Sequence, residues 1–461
     1  NVYDDQGRVI RQYDQSGQVS DFSYNGQLTG TRIYTDALGY TTTHVYDDQN
    51  RIVAEVDASG HEITYTYDAQ GNVLTRRDKN GQLWTYTYDG QGNMLSETDP
   101  LSQTWTYTYD ANNNRTSKTD PLGNTWRYTY DSNNRLIQTT DPLSHTHHYA
   151  YDAQGNVIWE RDAVGAATQY AYNDLGLQTA ITDALGNVTQ MAYDALGNQT
   201  VYTDANGHTA HFFYDDLNRL VKTIDPMGTV ITLTYDAVGN LLTESDGALS
   251  ADSVGHLKHY TYDEYDRLIA ETDFNGNTTR YAYNALGRRT VVTDALGHTT
   301  IYTYNAVGNL IAQQNKAGAV TTYAYDPAGH LIRETDALGR VTKYVYDAAG
   351  RRIEVHRPCD ACEGGVATSY TRYDAAGRVI KEIDPRGAVT RYGYDALGRQ
   401  AIITDTYNFT QTTTYDPTGR PIQEVNKVGA ITRYEYDLLG RLITTTNALG
   451  YQSVNVYDPV G

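Results

Sequence analysis

Apolar and polar positions alternate over short runs along this chain. In "QLWTYTYD", residues 82–89, Trp84, Tyr86 and Tyr88 alternate with Thr85 and Thr87. That period of two marks a strand with one face better covered than the other. In "NVLTRRD", residues 72–78, the same period places Val73, Thr75 and Arg77 on one face, with Leu74 and Arg76 on the other. Gly, Asn or Asp interrupts the pattern about every ten residues, as turn signals do. The larger period, about 21 residues, is also three heptads, but no apolar seam persists as a coiled coil requires. The pattern predicts an all-β chain of short strand pairs joined by tight turns.

The strand pairs recur with a Tyr-Asp marker. Twenty marker tyrosines run from Tyr46 to Tyr457, with Tyr67, Tyr88 and Tyr394 among them, and 17 of their 19 intervals have the length of that from Tyr67 to Tyr88. The other two, Tyr235 to Tyr262 and Tyr346 to Tyr373, are longer. Such self-similarity is the signature of a repeat array and outweighs a division of the 461 residues into ordinary domains. The expected organisation is irregular leading repeats over 1–45, an array over 46–461, and loop insertions near 246–257 and 356–367. The chain starts and stops mid-pattern, so it is read as a piece of something longer that carries no targeting signal of its own.

The turns explain the period. Four residues past the marker stands Gly in 15 of 20 repeats, Gly71, Gly92 and Gly398 among them, and Asn or Asp elsewhere. These residue types tolerate a positive φ. The residue after the marker is Asp in 17 repeats, including Asp68, Asp89 and Asp395, and Asn at Asn173, Asn284 and Asn305. Eleven residues past the marker lies a second site, typified by Asp78, which is Asp 15 times and Asn three times; Arg357 breaks it once. Asp and Asn share a side-chain acceptor for an Asx-turn but not a charge. The interchange assigns these sites to turn building rather than to acid–base chemistry. The second turn often runs Asp-Pro-x-Gly or Asp-Ala-x-Gly, and Ser102 and Ser144 replace its Gly.

Charge alters this picture little. The chain has 56 Asp and Glu against 36 Lys and Arg, net −20. Most of the acidic residues are the turn residues just described. The balance argues against nucleic acid or an anionic membrane as partner, because phosphate contacts need clustered Lys and Arg. No apolar run approaches the roughly 20 residues of a membrane helix. Tyr, at 43, far outnumbers Phe, at 5, so apolar bodies with polar tips dominate.

Candidate chemistry is sparse. Cys359 and Cys362 form a lone Cys-x-x-Cys, open to three readings: a disulfide or redox pair, half of a metal site, or an ordinary loop feature. Zinc needs about four ligands, and the chain has no other cysteine. "HTHH" (His145, Thr146, His147, His148) lies on a repeat strand and lacks paired ligand spacing. The glycine-rich calcium nonapeptide, the nucleophile elbow and the P-loop are absent. No catalytic, cofactor-binding or metal residue is assigned, and the repeats themselves are expected not to be an enzyme.

The motif Tyr-Asp-x-x-Gly-(Arg/Asn)-(Leu/Val), followed by Asp-(Pro/Ala)-x-Gly-Asn and Tyr-x-Tyr-Asp, resembles the YD or Rhs repeats. "YDALGRQ" from Tyr394, "TDPLGNTWRYTYD" from Thr119 and "TDALGRVTKYVYD" from Thr335 carry the resemblance. Similar arrays occur in bacterial Rhs polymorphic toxins, in the BC parts of Tc toxins and in teneurins. The resemblance implies a long antiparallel strip of hairpins spiralling into a hollow shell, of which this chain is a fragment. In the toxins the shell encloses a C-terminal toxic domain until delivery. The implied partners are that cargo domain in the same parent chain and a delivery apparatus, and the implied location is secreted or exported from a bacterium. Toxin members also carry an aspartate-dependent cleavage segment after the repeats. The Asp-Pro pairs here, Asp458-Pro459 included, fit the repeat's turns and receive no such role.

Geometry supports enclosure independently. Some 38 strands at roughly 4.8 Å spacing make a ribbon about 180 Å long. Barrels of eight strands are already about as wide as side chains fill. The alternative reading is an extracellular binding module whose Tyr ladders recognise glycans or surface partners.

Overall fold

The computed structural model describes residues 1–13, 19–25, 30–245, 247 and 256–461. Among these, 43 strands and one three-residue 3-10 turn, Glu363–Gly365, follow each other along the chain, with no α-helix. The expected insertion near 246–257 lies mostly outside the described residues. The chain divides into two compact units. One contains the described residues of 1–104, 234–245 and 256–369; the other contains those of 105–233, 247 and 370–461. In both, successive strands pair antiparallel, as over Glu62–Tyr67, Val73–Arg77 and Leu83–Tyr88 in the first and Ala167–Tyr172, Gln178–Thr182 and Val188–Tyr193 in the second.

One repeat shows the construction. Strand Glu62–Tyr67 pairs with Val73–Arg77, which pairs with Leu83–Tyr88. At the first turn the Gly71 N–H donates to the Asp68 carbonyl (3.2 Å), and the Asp68 N–H donates to the Asn72 carbonyl (3.0 Å). Gly71 has φ 94°. A β-turn closed by a left-handed residue is the three-residue hairpin loop whose twist suits its strands. The Asp68 Oδ1 accepts from the Gln70 and Asn72 N–H groups at 3.0 and 2.8 Å. The second turn repeats this around Asp78, whose Oδ1 accepts from Asn80 and Gln82 at 2.9 and 2.8 Å. In the second long interval, strands Arg352–Pro358 and Val366–Tyr373 leave a turn over residues 359–365. Arg357 is within a strand there, so no Asx acceptor is called for at that position.

The same left-handed conformation is imposed on non-glycine residues. Asn50, Asn113, Asn134, Asn218, Asp266 and Asn408 adopt it, and so do Ser102 (φ 63°) and Ser144 (φ 71°). Ser gains less local compensation there than Asn. Ser102→Gly is expected to stabilise the array by about 1 kcal/mol, read as a higher urea midpoint. A lower midpoint would show that the serine is favoured where it stands.

A bulge corrects the simple alternation read for residues 72–78. Tyr67 faces Val73 and Thr66 faces Thr75, leaving Leu74 as the extra residue. Arg76 therefore lies opposite Tyr65 and Trp84, on the aromatic face with Val73. Thr75 and Arg77 share the other face with Thr66 and Thr64. The bulge recurs at the same place in hairpin after hairpin, and each adds twist and bend of one sense.

The two faces differ. Tyr65, Tyr67, Trp84, Tyr86 and Tyr88 are half-buried, while Thr66 and Thr87 are exposed. Hydroxyl pairs run across the threonine face, as in Thr66–Thr75 and Thr87–Ser96, both 2.6 Å. Among the described residues the only buried hydrophobic side chains are Ala54 and Val355, and the only buried polar ones are Asp120 and Asp416. Among the same residues no second layer seals the sheet. Its cohesion comes from the ladder and from contacts between successive repeats, as in repeat proteins generally.

Candidate functional site

The most regular side chains meet in a clasp between successive hairpins. The Tyr67 hydroxyl donates to the Ile52 carbonyl, 15 residues back, at 2.5 Å. Ile52 opens the five-residue strand where the preceding hairpin's bulge interrupts the ladder. The same bond joins Tyr151 to Leu136 (2.7 Å), Tyr172 to Val157 (2.8 Å), Tyr283 to Leu268 (2.7 Å), Tyr394 to Val379 (2.6 Å) and Tyr436 to Pro421 (2.9 Å). It also spans one long interval, from Tyr262 to Leu241 (3.0 Å). A bulge carbonyl is thus matched with a donor from the next hairpin. Burial pushes the Tyr67 phenol above its ordinary pKa.

The residue after the left-handed turn residue closes the clasp. Arg51 Nε donates to Asp47 Oδ2 (2.7 Å) within its own turn, and its terminal nitrogen donates to the Asp68 carbonyl of the next (2.9 Å). Its guanidinium lies 4.7 Å from the Tyr67 ring centre. Arg399 repeats all three contacts with Asp395 (2.6 Å), the Asp416 carbonyl (2.7 Å) and the Tyr415 ring (4.9 Å). A rigid planar fork suits this triple role in a way Lys cannot match. Where Asn replaces Arg it holds its own aspartate, as Asn72 does Asp68 Oδ2 at 2.9 Å, and in some repeats it also reaches the next turn's side chain, as Asn114 Nδ2 does Asn134 Oδ1 at 2.8 Å. His330 bonds Asp326 (2.8 Å) and stacks on Tyr346 with ring centres 4.9 Å apart.

A second row couples Tyr to Glu. Tyr170 donates to Glu160 (2.5 Å), Tyr392 to Glu382 (2.6 Å) and Tyr434 to Glu424 (3.0 Å). Donation to the Glu382 carboxylate, with burial, pushes the Tyr392 phenol up to about 12. These tyrosine hydroxyls are therefore bonded within the sheet.

The turn residues singled out by the sequence occupy equivalent places. Asp89 accepts from Gln91 and Asn93 (both 2.9 Å), with Gly92 at φ 87°. Asp395 accepts from Leu397 (2.9 Å) and Arg399 (3.0 Å), with Gly398 at φ 81°. Tyr88 stands opposite Met94 at the next bulge. The reading of the aspartates as acceptors alone needs refinement, because their second oxygen binds Arg or Asn. Asn stands in place of Asp both where the residue four on offers no side-chain donor, as at Asn173 (Leu177), Asn315 (Ala319) and Asn426 (Ala430), and where it offers one, as at Asn284 (Arg288) and Asn305 (Asn309). Asp68→Asn is accordingly expected to be nearly neutral, since the Asn72 amide turns to meet it. Asp395→Asn should cost roughly 1 kcal/mol through the half-buried Arg399 pair. Equal effects of the two in urea unfolding would contradict this.

The arginine's reach into the next repeat was missed by sequence reasoning. Its position in the motif was visible, but spacing alone does not show which hairpin a long side chain reaches.

Other candidates hold less. The Cys359 and Cys362 sulfurs are bonded to each other, with Cα atoms 5.4 Å apart. The turn around them is closed by Cys359 N–H to Gly365 O and Gly365 N–H to Cys362 O, both 3.0 Å. His145 pairs with Asp141 of its own turn (2.8 Å), and His147 and His148 are successive strand residues on opposite faces. Among the described residues no group of three or more His, Cys, Asp or Glu is placed to hold a metal. A cavity of about 770 Å³ in the first unit is lined by Arg76, Asn80, Trp84, Asp326, His330 and Tyr346.

A hairpin strip with this clasp has known counterparts. The RHS Repeat model matches nine segments that together span 25–104, 262–358, 373–410 and 415–452, more than half of the chain. The chain belongs to the RHS repeat family. The Teneurin YD-shell model matches residues 97–248 of this RHS chain. A search of curated proteins gave no match. Among solved structures, TcdB2-TccC3 is 17% identical, with TM-score 0.62, over 97% of this chain and 29% of that one. The TcdB2-TccC3-TEV structure is 16% identical, with TM-score 0.64, over 99% and 28%. A Photorhabdus luminescens Tc holotoxin pore is 16% identical, with TM-score 0.57, over 99% and 27%. The RHS chain thus shares their fold while spanning less than a third of their length.

Proposed function

We propose that this RHS strip is part of the wall of a hollow shell that holds a cargo polypeptide apart from its surroundings until delivery. The observation that carries this reading is a long hairpin sheet of the Tc-toxin fold with almost no buried side chain of its own. A sheet with neither face sealed by a second layer separates two compartments rather than surrounding a core. Bulges repeated at one end of the hairpins bend it in one sense. The cargo is a toxic domain in the same parent chain, the setting is a protein exported by a bacterium, and the repeats serve as a scaffold without catalysis.

The clasp bears on the alternative role as a glycan reader. Marker tyrosines spend their hydroxyls on backbone carbonyls and their ring faces under arginines, which reduces what they offer a sugar. The test is protease protection of the native gene product. Polypeptide outside the repeats should resist a protease while the particle is intact and be digested once denaturant opens it. Equal digestion in both states, or saturable binding on a glycan array, would overturn the container reading.

A further inference from the structure

The disulfide-bearing insertion borders a basic slot in the first unit. The strands on either side of it, Arg352–Pro358 and Val366–Tyr373, have seven and eight residues, against five and six in the hairpin of Tyr67 and Tyr88. The added length brings Val366 beside the end of the sheet. Val366, Val341, Arg333, Lys343 and His356 line a cavity of about 540 Å³. Sites for small molecules span about 300–1,000 Å³ and combine apolar walls with a few convergent polar groups.

The register sets the basic side chains in a row. Arg333 is directly opposite Lys343, and Lys343 is directly opposite His356. In the repeat of Tyr67 the places of Arg333 and Lys343 are held by Thr75 and Thr85, which also face each other. Like charges directly opposite one another destabilise a sheet. Turn arginines such as Arg351 and Arg340 hold an aspartate, whereas among the described residues neither Arg333 nor Lys343 has an ion-pair partner. The acid on this face, Glu354, stands opposite Val345 and is bonded to His356 Nε2 at 3.2 Å. His356 Nδ1 lies 3.0 Å from Thr368 Oγ1, so both ring nitrogens are engaged. In a chain of net charge −20, two facing cations without a carboxylate, beside two valines, cost stability and present a receptor for an anion.

We propose that this slot binds a small carboxylate with a short apolar body. The planar Arg333 fork and the Lys343 ammonium hold the carboxylate, and Val341 and Val366 cover the hydrocarbon. Arg333 and Lys343 against Glu354 leave one positive charge, which matches a monoanion better than a doubly charged phosphate.

Calorimetric titration of the intact chain with hexanoate, acetate and inorganic phosphate tests this. Hexanoate should bind saturably, one molecule per chain. Acetate should bind at least about tenfold more weakly for want of apolar surface, and phosphate more weakly than hexanoate. Arg333→Gln with Lys343→Gln should weaken hexanoate at least about tenfold. Its unliganded thermal midpoint should be no lower than the parent's, because a repulsion is relieved. Lys381 and Arg391 face each other at the matching positions of the other unit, so Lys381→Gln with Arg391→Gln removes the same charge elsewhere and should leave hexanoate binding intact. No saturation by hexanoate in the millimolar range overturns the proposal. So does acetate or phosphate binding as tightly as hexanoate, equal weakening in the two variants, unchanged binding in the first, or a lowered midpoint showing that the facing pair supports the fold.

Discussion

Replacing Tyr67 by alanine is expected to remove about 2–4 kcal/mol of local stability, the scale of large-to-small aromatic truncations. Three contacts go at once: the half-buried ring, the bond to the Ile52 carbonyl and the Arg51 stack. Arg51 keeps its Asp47 and Asp68 bonds but loses the surface against which it is ordered. Tyr67→Phe isolates the hydroxyl and should cost about 1 kcal/mol, because the ring and the stack remain. Stability in a strip passes between neighbours. Native-state hydrogen exchange should therefore accelerate in the hairpins bearing Tyr46, Tyr67 and Tyr88 and fade with distance. Uniform acceleration across the chain would show that the array unfolds as one body, and equal effects of Phe and Ala would place the energy in the hydroxyl alone.

Acid is expected to dissolve the array through its turns. The carboxyls of Asp68, Asp89, Asp110, Asp152 and Asp194 lie below their ordinary pKa, chiefly because an Asn side chain donates to each, with backbone N–H groups adding to it. Those of Asp47, Asp131 and Asp215 are lowered first by the backbone N–H of Arg51, Arg135 and Arg219, and then by the guanidinium. A carboxyl with a depressed folded pKa contributes stability that is fully present above the unfolded value of about 3.9. That contribution is lost as pH falls through the folded value. Each group is solvent-screened and adds little alone; their number makes the sum large. The urea midpoint should be level near neutral pH and fall steeply below about pH 4. A midpoint unchanged at strongly acid pH would mean that neutral side chains hold the turns equally well.

Much of this molecule is written locally. A hairpin turn is decided by four or five consecutive residues, so Asp68 and Gly71, or Asp395 and Gly398, announce their conformation without knowledge of anything distant. Strand identity follows from the alternation around Trp84, Tyr86 and Tyr88 for the same reason. The bulge at Leu74 was not legible, because register arises only when two strands pair, and it reversed the face assigned to Arg76. The role of Arg51 was hidden likewise: its motif position is plain, but two of its partners, Tyr67 and Asp68, belong to the following hairpin.

The sequence by itself determined the repeat, the turns, the strands and the acceptor role of the aspartates, since these are set by φ preferences and side-chain reach within one hairpin. Only the tertiary structure decided which hairpin each tyrosine and arginine clasps, and which distant turns meet. Contacts such as Asn80 with Asp326, 246 residues apart, depend on the accumulated twist and bend of many hairpins. No single repeat records that sum, because every repeat is locally almost the same.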